Sequence, residues 1–243
     1  MVRFDTEILS KAGGREQNED YCGYLSLDQA ACWVLADGLG GHGGGEIASE
    51  IAVKTVLDAF QRSPECSTES LLAYMEKAAE SLRAQQSEDL RLAQMRTTAV
   101  VLVSDFASAL WAHMGDSRLY YLRQGGIAFQ TRDDSVPQAL SNAGKIRPDE
   151  IRFHPDRNRL LRALGNNSEA KPSVERRSIA LISGDAFLLC SDGFWEYVTE
   201  TEMEADFARS PVPGEWLARM EQRLLRRALV GHDNYSALGI FVV

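Results

Sequence analysis

The stretch "CWVLADGLGGHGGGEIASEIAVKTV" (residues 32–56) decides how the chain is read. An apolar run reaches Ala36-Asp37-Gly38, a glycine-rich loop follows, and apolar residues then recur at helical spacing (Ile47, Ile51, Val53, Val56, Phe60). The pattern is a buried strand, a loop with almost no side chains, and an amphipathic helix. A carboxylate at the mouth of such a strand has two readings. Asp-Gly is ordinary hairpin chemistry, but a hairpin needs an antiparallel strand directly after the turn, and here a helix follows. The other reading is that the space around Asp37 is kept open for a ligand.

The design repeats. "FLLCSDGFWEYV" (187–198) again runs an apolar strand into Asp-Gly, at Asp192, and again continues as a helix pattern. "LWAHMGDSRLYYL" (110–122) places Asp116 at a break between two apolar stretches, where a hairpin turn is an equal alternative. Asp233 in "GHDNYSALGIFVV" precedes the last strand, and Glu19 and Asp20 in "GREQNEDYCGYL" precede another. Carboxylates gathered in one place raise each other's pKa unless a cation neutralises them. An oxygen donor set with few histidines selects hard ions, Mg²⁺ or Mn²⁺, over zinc. An Asp bridging two such ions is a standard way to activate water against a phosphoryl group.

The rest of the chain supplies a scaffold for these acids. Strand-like stretches fall at 3–10, 21–26, 30–36, 98–104, 108–114, 117–123, 127–131, 185–190 and 235–243, with a hairpin signal in "RQGGI" (123–127). Helix patterns fit 44–62, 67–87 (extending toward 93), 199–209 and 213–229, the last with Leu217, Met220, Leu224 and Leu225 on one face. "STES" (67–70) reads as a helix start. Runs of strands with segregated helix pairs predict an α+β layered domain. Residues 132–180 are polar and irregular, too long for a plain connection, and read as a flap. With 243 residues, 44% of them hydrophobic, the chain can bury a sizeable core, as one large domain or two small ones. A net charge of −9 argues against non-specific nucleic-acid or anionic-membrane binding. No apolar stretch approaches a membrane span, and four scattered cysteines without zinc spacing point to a reduced, cytoplasmic protein.

Taken in order, "GREQNED", "ADGLGGHGGGEIAS", "RTTAVVLV", "GDSRLYYLR", "RDDSV", "HPDRNRLLRALG", "LLCSDGFWEYV" and "HDNYSAL" resemble the bacterial metal-dependent serine/threonine phosphatases of the PPM type, type 2C, across nearly the whole chain. The resemblance implies one domain over 1–243, an αββα sandwich of two antiparallel sheets each covered by a helix pair. It implies hydrolysis of phosphoserine or phosphothreonine by water activated between two Mn²⁺ or Mg²⁺ ions, with no covalent enzyme intermediate. On this resemblance Asp37 bridges the two metals, the Gly38 carbonyl serves one, and Asp192 and Asp233 serve the other. Glu19 and Asp20 match the pair that holds metal waters, Asp116 and Glu196 match a weaker third-metal site, and Arg15 matches the arginine that grips phosphate. Asn234 is expected to orient its neighbour.

Departures from the family pattern matter as well. Leu39 stands where some members carry a histidine, and His42 in the glycine loop is a candidate acid, ligand or loop cap. Arg96 replaces a usual Gly, Asp134 replaces a common His, and Glu196 replaces an Asp with a longer arm. His113 reads as a packed strand residue. The arginines of "KIRPDEIRFHPDRNRLLRALG" suit either a phosphorylated partner or a solvated face. The expected partner is a phosphorylated protein, such as a Ser/Thr kinase or its target, met by a monomer without nucleic acid or membrane. The rival functions are a hydrolase of small phosphoesters and a silent binding module; the second predicts missing metal acids, and all are present.

Overall fold

In the computed structural model, which describes residues 2–40, 44–166, 171–175 and 177–243, side-chain alternation along one strand sorts the core into layers. On β3 (Ala31–Leu39), Cys32, Val34 and Ala36 join a cluster with the helices α1 (Gly44–Arg62) and α2 (Thr68–Glu88). The intervening Ala31, Trp33 and Leu35 join a second cluster that fills the space between two sheets. The first sheet has the order β10-β6-β5-β3-β2: Ile179–Ala180, Ser108–Met114, Ala99–Ser104, β3 and Asp20–Ser26. Two short strands lie off this path, β4 (Arg96–Thr97) on β3 and β9 (Ser173–Val174) on β6.

The second sheet has the order β1-β12-β11-β7-β8: Phe4–Lys11, Tyr235–Val242, Ala186–Cys190, Arg118–Arg123 and Gly126–Gln130. All pairings are antiparallel. Its outer face carries α5 (Glu200–Phe207) and α6 (Pro213–Arg227) over a third cluster built on Trp195, Trp216, Leu217, Met220 and Leu224. The layers therefore run helix pair, sheet, sheet, helix pair, the expected αββα sandwich. Burial of each such large side chain contributes about 1.5–3 kcal/mol.

Most expected elements lie within two residues of where the patterns put them, and the differences have local causes. Residues 67–70 do form a capped start, with Ser67 Oγ accepting from the Ser70 amide at 3.0 Å. The helix stops at Glu88 instead of reaching 93 because Asp89 turns to an extended conformation and caps a 3-10 turn at Leu90–Leu92. Ile47 and Leu225, expected on buried helix faces, are exposed; Ala48 and Ala52 take the inner face of α1 and let its backbone approach β3. The hairpin of β7 and β8 turns on Gln124 and Gly125, both with positive φ, as a type I′ turn requires. Residues 132–180 hold α3 (Val136–Asn142), a 3-10 turn (Pro148–Phe153) and the strands β9 and β10.

Candidate active site

The layer between the sheets is apolar through its middle and changes character at one edge. Keeping the alternation of β3, the next inward position after Ala31, Trp33 and Leu35 is Asp37. Its partner across the β2–β3 ladder is Asp20. In the same two-residue rhythm, Phe187 and Leu189 lead to Ser191, Leu119 leads back to Ser117, Val100 to Thr98, and Leu238 to Ser236. Small hydroxyl residues thus replace hydrophobes at the end of the sandwich and supply donors to the acids. Ser191 Oγ donates to Asp20 at 2.7 Å, and the Ser236 amide donates to Ser191 Oγ at 3.0 Å. Thr98 Oγ1 accepts from the Asp37 amide at 2.9 Å and shares a 2.7 Å hydrogen bond with Ser117. Thr97 Oγ1 and the Thr98 amide both donate to the Asp37 carbonyl, at 2.8 Å each.

Asp37 was expected on a loop just beyond the strand; it lies inside β3. The strand continues to Leu39 because Gly38 and Leu39 pair with Thr97 and Arg96 of β4. The hairpin reading of Asp116 also fails, since β6 and β7 on either side of it belong to different sheets. The connection crosses the sandwich through Gly115 at φ +104°, where an added Cβ would stand 2.6 Å from the Thr98 side chain. Asp116 is buried at this crossing, and its carbonyl accepts from the Trp195 indole at 2.9 Å. Asp192 opens α4 (Asp192–Trp195), a single turn packed so closely on the start of β12 that a Cβ on Gly193 would lie 2.0 Å from the Asn234 carbonyl.

Arg15 and Glu19 reach the same place on the loop between β1 and β2. Asn234 ties that loop down: its amide nitrogen donates to the carbonyls of Ala12 and Gln17 at 2.8 Å, and its carbonyl oxygen accepts from the Glu19 amide at 2.8 Å. Its own backbone N–H donates to Asp233 Oδ1 at 2.9 Å, so it orients its neighbour as expected and the loop besides. Arg15 donates to Asp233 at 3.0 Å and keeps about half of its side chain exposed. Arg15, Glu19, Asp37, Gly38, Asp116, Asp192 and Asp233 line one cleft of about 210 Å³, closed on the flap side by Asn158 and Leu160.

Glu196 lies one turn beyond Asp192 and accepts from Arg157 of the flap at 2.6 Å. Asp134 is buried and accepts from Arg162 and from the Gly115 amide, which fixes the crossing that carries Asp116. The flap arginines divide: Arg152, Arg157 and Arg162 are tied to Glu200, Glu196 and Asp134, whereas Arg147 and Arg159 lie on a solvated face and pair only with the neighbouring Asp149 and Asp156. His113 is buried in β6 with Nε2 at 2.8 Å from the Arg132 carbonyl, a packed residue as read. The Arg96 side chain donates to Gln94 at 3.0 Å. His42 lies outside the described residues.

Asp37, Asp20, Asp116, Asp192 and Glu196 are all held above the usual carboxylate range. Burial, followed by the charges of Asp20, Asp192, Asp116 and Asp233, pushes Asp37 well above the usual range. Burial raises Asp20 to about 7 against the opposing Ser191 hydrogen bond. Burial and then Asp233 raise Asp192 to about 6, and burial and then Asp192 raise Glu196 to about 7. Asp116 is likewise raised by burial and by Asp192. Among the described residues Asp20 Oδ1 is buried without a hydrogen-bond partner. A lone buried acceptor among mutually repelling carboxylates fits a cation or its water shell. Among the described residues no three His, Cys, Asp or Glu side chains stand close enough together to hold a metal ion directly, so the acids line the cleft without converging on one point. An open, all-oxygen arrangement of this kind suits Mg²⁺ or Mn²⁺, which take few carboxylates and keep several waters, and does not suit zinc.

Sequence reading found the acids and Arg15 but not Thr98, Ser117, Ser191 and Ser236, nor Asn158 and Leu160. The hydroxyl residues were visible as polar breaks in strand alternation; Asn158 and Leu160 sit in irregular chain with no periodic signal.

The chain is similar to known phosphatases. The chain is 34% identical over 196 residues to a serine/threonine phosphatase of Listeria welshimeri, covering 78% of this chain and 77% of that one. It is 33% identical over 231 residues to the protein phosphatase PhpP of Streptococcus pneumoniae, covering 92% and 91%. The catalytic domain of the serine/threonine protein phosphatase PstP, solved in complex with two manganese ions, superposes with a TM-score of 0.86 at 28% identity over the full length of both chains. The profile of the protein phosphatase 2C family matches residues 10–230, and the chain belongs to that family.

Proposed function

We propose that the chain hydrolyses phosphoserine and phosphothreonine in proteins at the cleft lined by Asp37, Asp192 and Asp233, and that residues 1–243 act as one catalytic domain. The observation that carries this reading is the opposed pair Asp20 and Asp37 beside Asp192 and Asp233, with one Asp20 oxygen buried and unpartnered. Asp37, the Gly38 carbonyl, Asp192 and Asp233 would hold two divalent ions, with Glu19 and Asp20 beside them. Two Mn²⁺ or Mg²⁺ ions bound there would supply an activated water and neutralise phosphoryl charge. Asp116 and Glu196 would serve a weaker third ion, with Glu196 also paired to Arg157.

The protein's own part is positioning and electrostatics. Arg15 aims a guanidinium fork into the cleft and takes two phosphoryl oxygens, which fixes phosphorus in line for attack. Its bond to Asp233 holds the fork ready and yields when phosphate enters. Backbone and hydroxyl donors from Thr97 and Thr98 lock Asp37, so the acid pays no reorganisation when charge moves. Leu39 offers no proton, and the leaving oxygen is protonated from water in the cleft. The substrate is the product of a Ser/Thr kinase, met in the cytoplasm by a monomeric enzyme; among the described residues no helix is long and apolar enough to cross a membrane.

The test is turnover of a phosphothreonine peptide beside free nucleotides, in Mn²⁺ and in EDTA, for wild type and Asp192→Asn. The expected result is metal-dependent peptide hydrolysis that collapses in the folded variant. Faster turnover of nucleotides than of the peptide supports a small-phosphoester hydrolase instead.

A further inference from the structure

We infer that the hollow beside Glu196, walled by Phe153 and Tyr197, is a specificity subsite for an aromatic or large aliphatic side chain of the phosphoprotein, close in sequence to the phosphorylated residue. The inference rests on the phosphatase reading above and adds to it a chemical preference that the catalytic cleft does not contain.

Adjacency is the first support. The hollow, about 540 Å³, lies in the size range of pockets that enclose ligand-sized groups. Glu196 forms part of its wall, and the Glu196 amide donates to the Asp192 carbonyl at 2.9 Å, one helical turn from the cleft. Tyr197 stands edge-on to His232 with ring centroids 6.4 Å apart. The His232 carbonyl accepts from the Gly14 amide at 2.9 Å, beside Arg15, and Asp233 follows directly. Two wall residues, Glu196 and Tyr197, are thus in contact with the segments that present Arg15, Asp192 and Asp233. Residues one turn apart on a helix are about 5–6 Å apart. An extended peptide covers about 3.3 Å per residue. On that spacing the proposed occupant is a side chain about two positions from the phosphoresidue.

Chemistry decides what it takes. Arg152, Arg157 and Arg227 all line the hollow, which at first suggests an acidic partner. Each is already paired: Arg152 with Glu200 at 2.9 Å, Arg157 with Glu196 at 2.6 Å, and Arg227 with Glu202 at 2.6 Å. What stays uncovered is apolar. Phe153 is 78% exposed on its 3-10 turn, although a phenyl ring in water gains nothing for the free protein. The turn is anchored: Arg152 donates to the Val198 carbonyl at 3.1 Å, and its guanidinium carbon lies 5.5 Å from the centre of the Trp195 ring. Phe153 is held out over the hollow by a rigid support, one side of a slot whose other side is Tyr197.

The experiment uses the full-length Mn²⁺-loaded enzyme and phosphothreonine peptides of otherwise small residues. A single Phe, and separately a single Asp, is walked from three positions before the phosphothreonine to three after. At one position Phe should raise kcat/KM about tenfold over Ala, the discrimination an apolar pocket gives, and Asp should not. In Phe153→Ala the Phe-to-Ala ratio should fall to about 1–2, with Phe153→Leu between, and this ratio cancels any loss common to both peptides. Thermal unfolding and Mn²⁺ stoichiometry of each variant confirm that the fold and the metals are intact. A flat Phe scan, a ratio that survives Phe153→Ala, or a preference for Asp overturns the subsite. Absence of turnover on every peptide by wild type removes the phosphatase reading as well, and is told apart from the first three outcomes by that total loss.

Discussion

Replacing Asp20 by Asn should stabilise the metal-free protein while crippling the enzyme, and the size and pH dependence of the gain follow from the site. Asp20 is buried, opposite Asp37, with Asp192 and Asp233 adding negative charge, and its carboxyl is pushed up to about 7 from 3.8. Ionising a group held about three pH units above its ordinary value costs on the order of 4 kcal/mol, at about 1.36 kcal/mol for each. Water entering the metal-free cleft relieves part of this, so about 2 kcal/mol is the expected gain. In the unfolded chain the carboxyl loses its proton near 4, whereas the folded state keeps it until about 7. The folded state binds more protons across that window, so stability falls as pH rises from about 4 to 7 and the penalty is complete above it.

Asn removes this term and keeps the geometry: its carbonyl can accept from Ser191, and its NH₂ faces the remaining carboxylates. Urea unfolding in EDTA at pH 5 and pH 8 measures the effect, with equal m-values required for the comparison. The variant should exceed wild type by about 2 kcal/mol at pH 8 and by clearly less at pH 5. Mn²⁺ should stabilise wild type more than the variant. A variant no more stable than wild type at pH 8, or a gap that ignores pH, refutes the argument that Asp20 is held against its own charge.

Other outcomes follow from single contacts. Chelation should abolish turnover and Mn²⁺ or Mg²⁺ restore it; full activity in a thoroughly chelated sample refutes the metal site. Arg15→Ala should lower kcat/KM by about 1.5–3 kcal/mol equivalent, through both KM and kcat, while calorimetry finds Mn²⁺ binding retained. Arg118 is buried, bonded to Asp133 at 2.8 Å and stacked 3.4 Å over Trp195, so Arg118→Met should cost about 3–5 kcal/mol in urea unfolding by stranding the Asp133 charge. Gly193→Ala, whose Cβ would stand 2.0 Å from the Asn234 carbonyl, should lower the thermal midpoint and activity together, because α4 and β12 must part to admit it.

The legibility of this chain divides along physical lines. Helices that bury one face leave a periodic trace, so α1 and α6 were readable with most of their packing faces, while β3, buried on both faces, was readable as a continuous apolar run. Errors fell where small residues replaced large ones on the buried side, as Ala48 and Ala52 did in place of Ile47. Short strands such as β4, β9 and β10 carry two residues each and leave no period to read. Yet β4 matters, since its pairing keeps Gly38 in the sheet and places Asp37 inward rather than on a loop.

The site was legible through its acids because a carboxylate that ends an apolar run breaks a pattern twice, by charge and by position. Its supports were not, because Ser236 of β12 and Thr98, Ser117 and Ser191, which adjoin β5, β7 and β11, come from two sheets and meet only after the sandwich closes. Each one, alone in its strand, is an ordinary hydroxyl residue near a strand end. They gain meaning from the shared two-residue rhythm, which puts every one on the same inner face as Asp20 and Asp37. The same rule that fills the middle of the sandwich with Trp33, Phe187 and Leu238 therefore builds its polar edge. The cleft is where the inner face runs out of hydrophobes while the strands continue. That is why a rigid apolar core stands directly behind each acid, and why the acids can be forced together without collapsing into solvent.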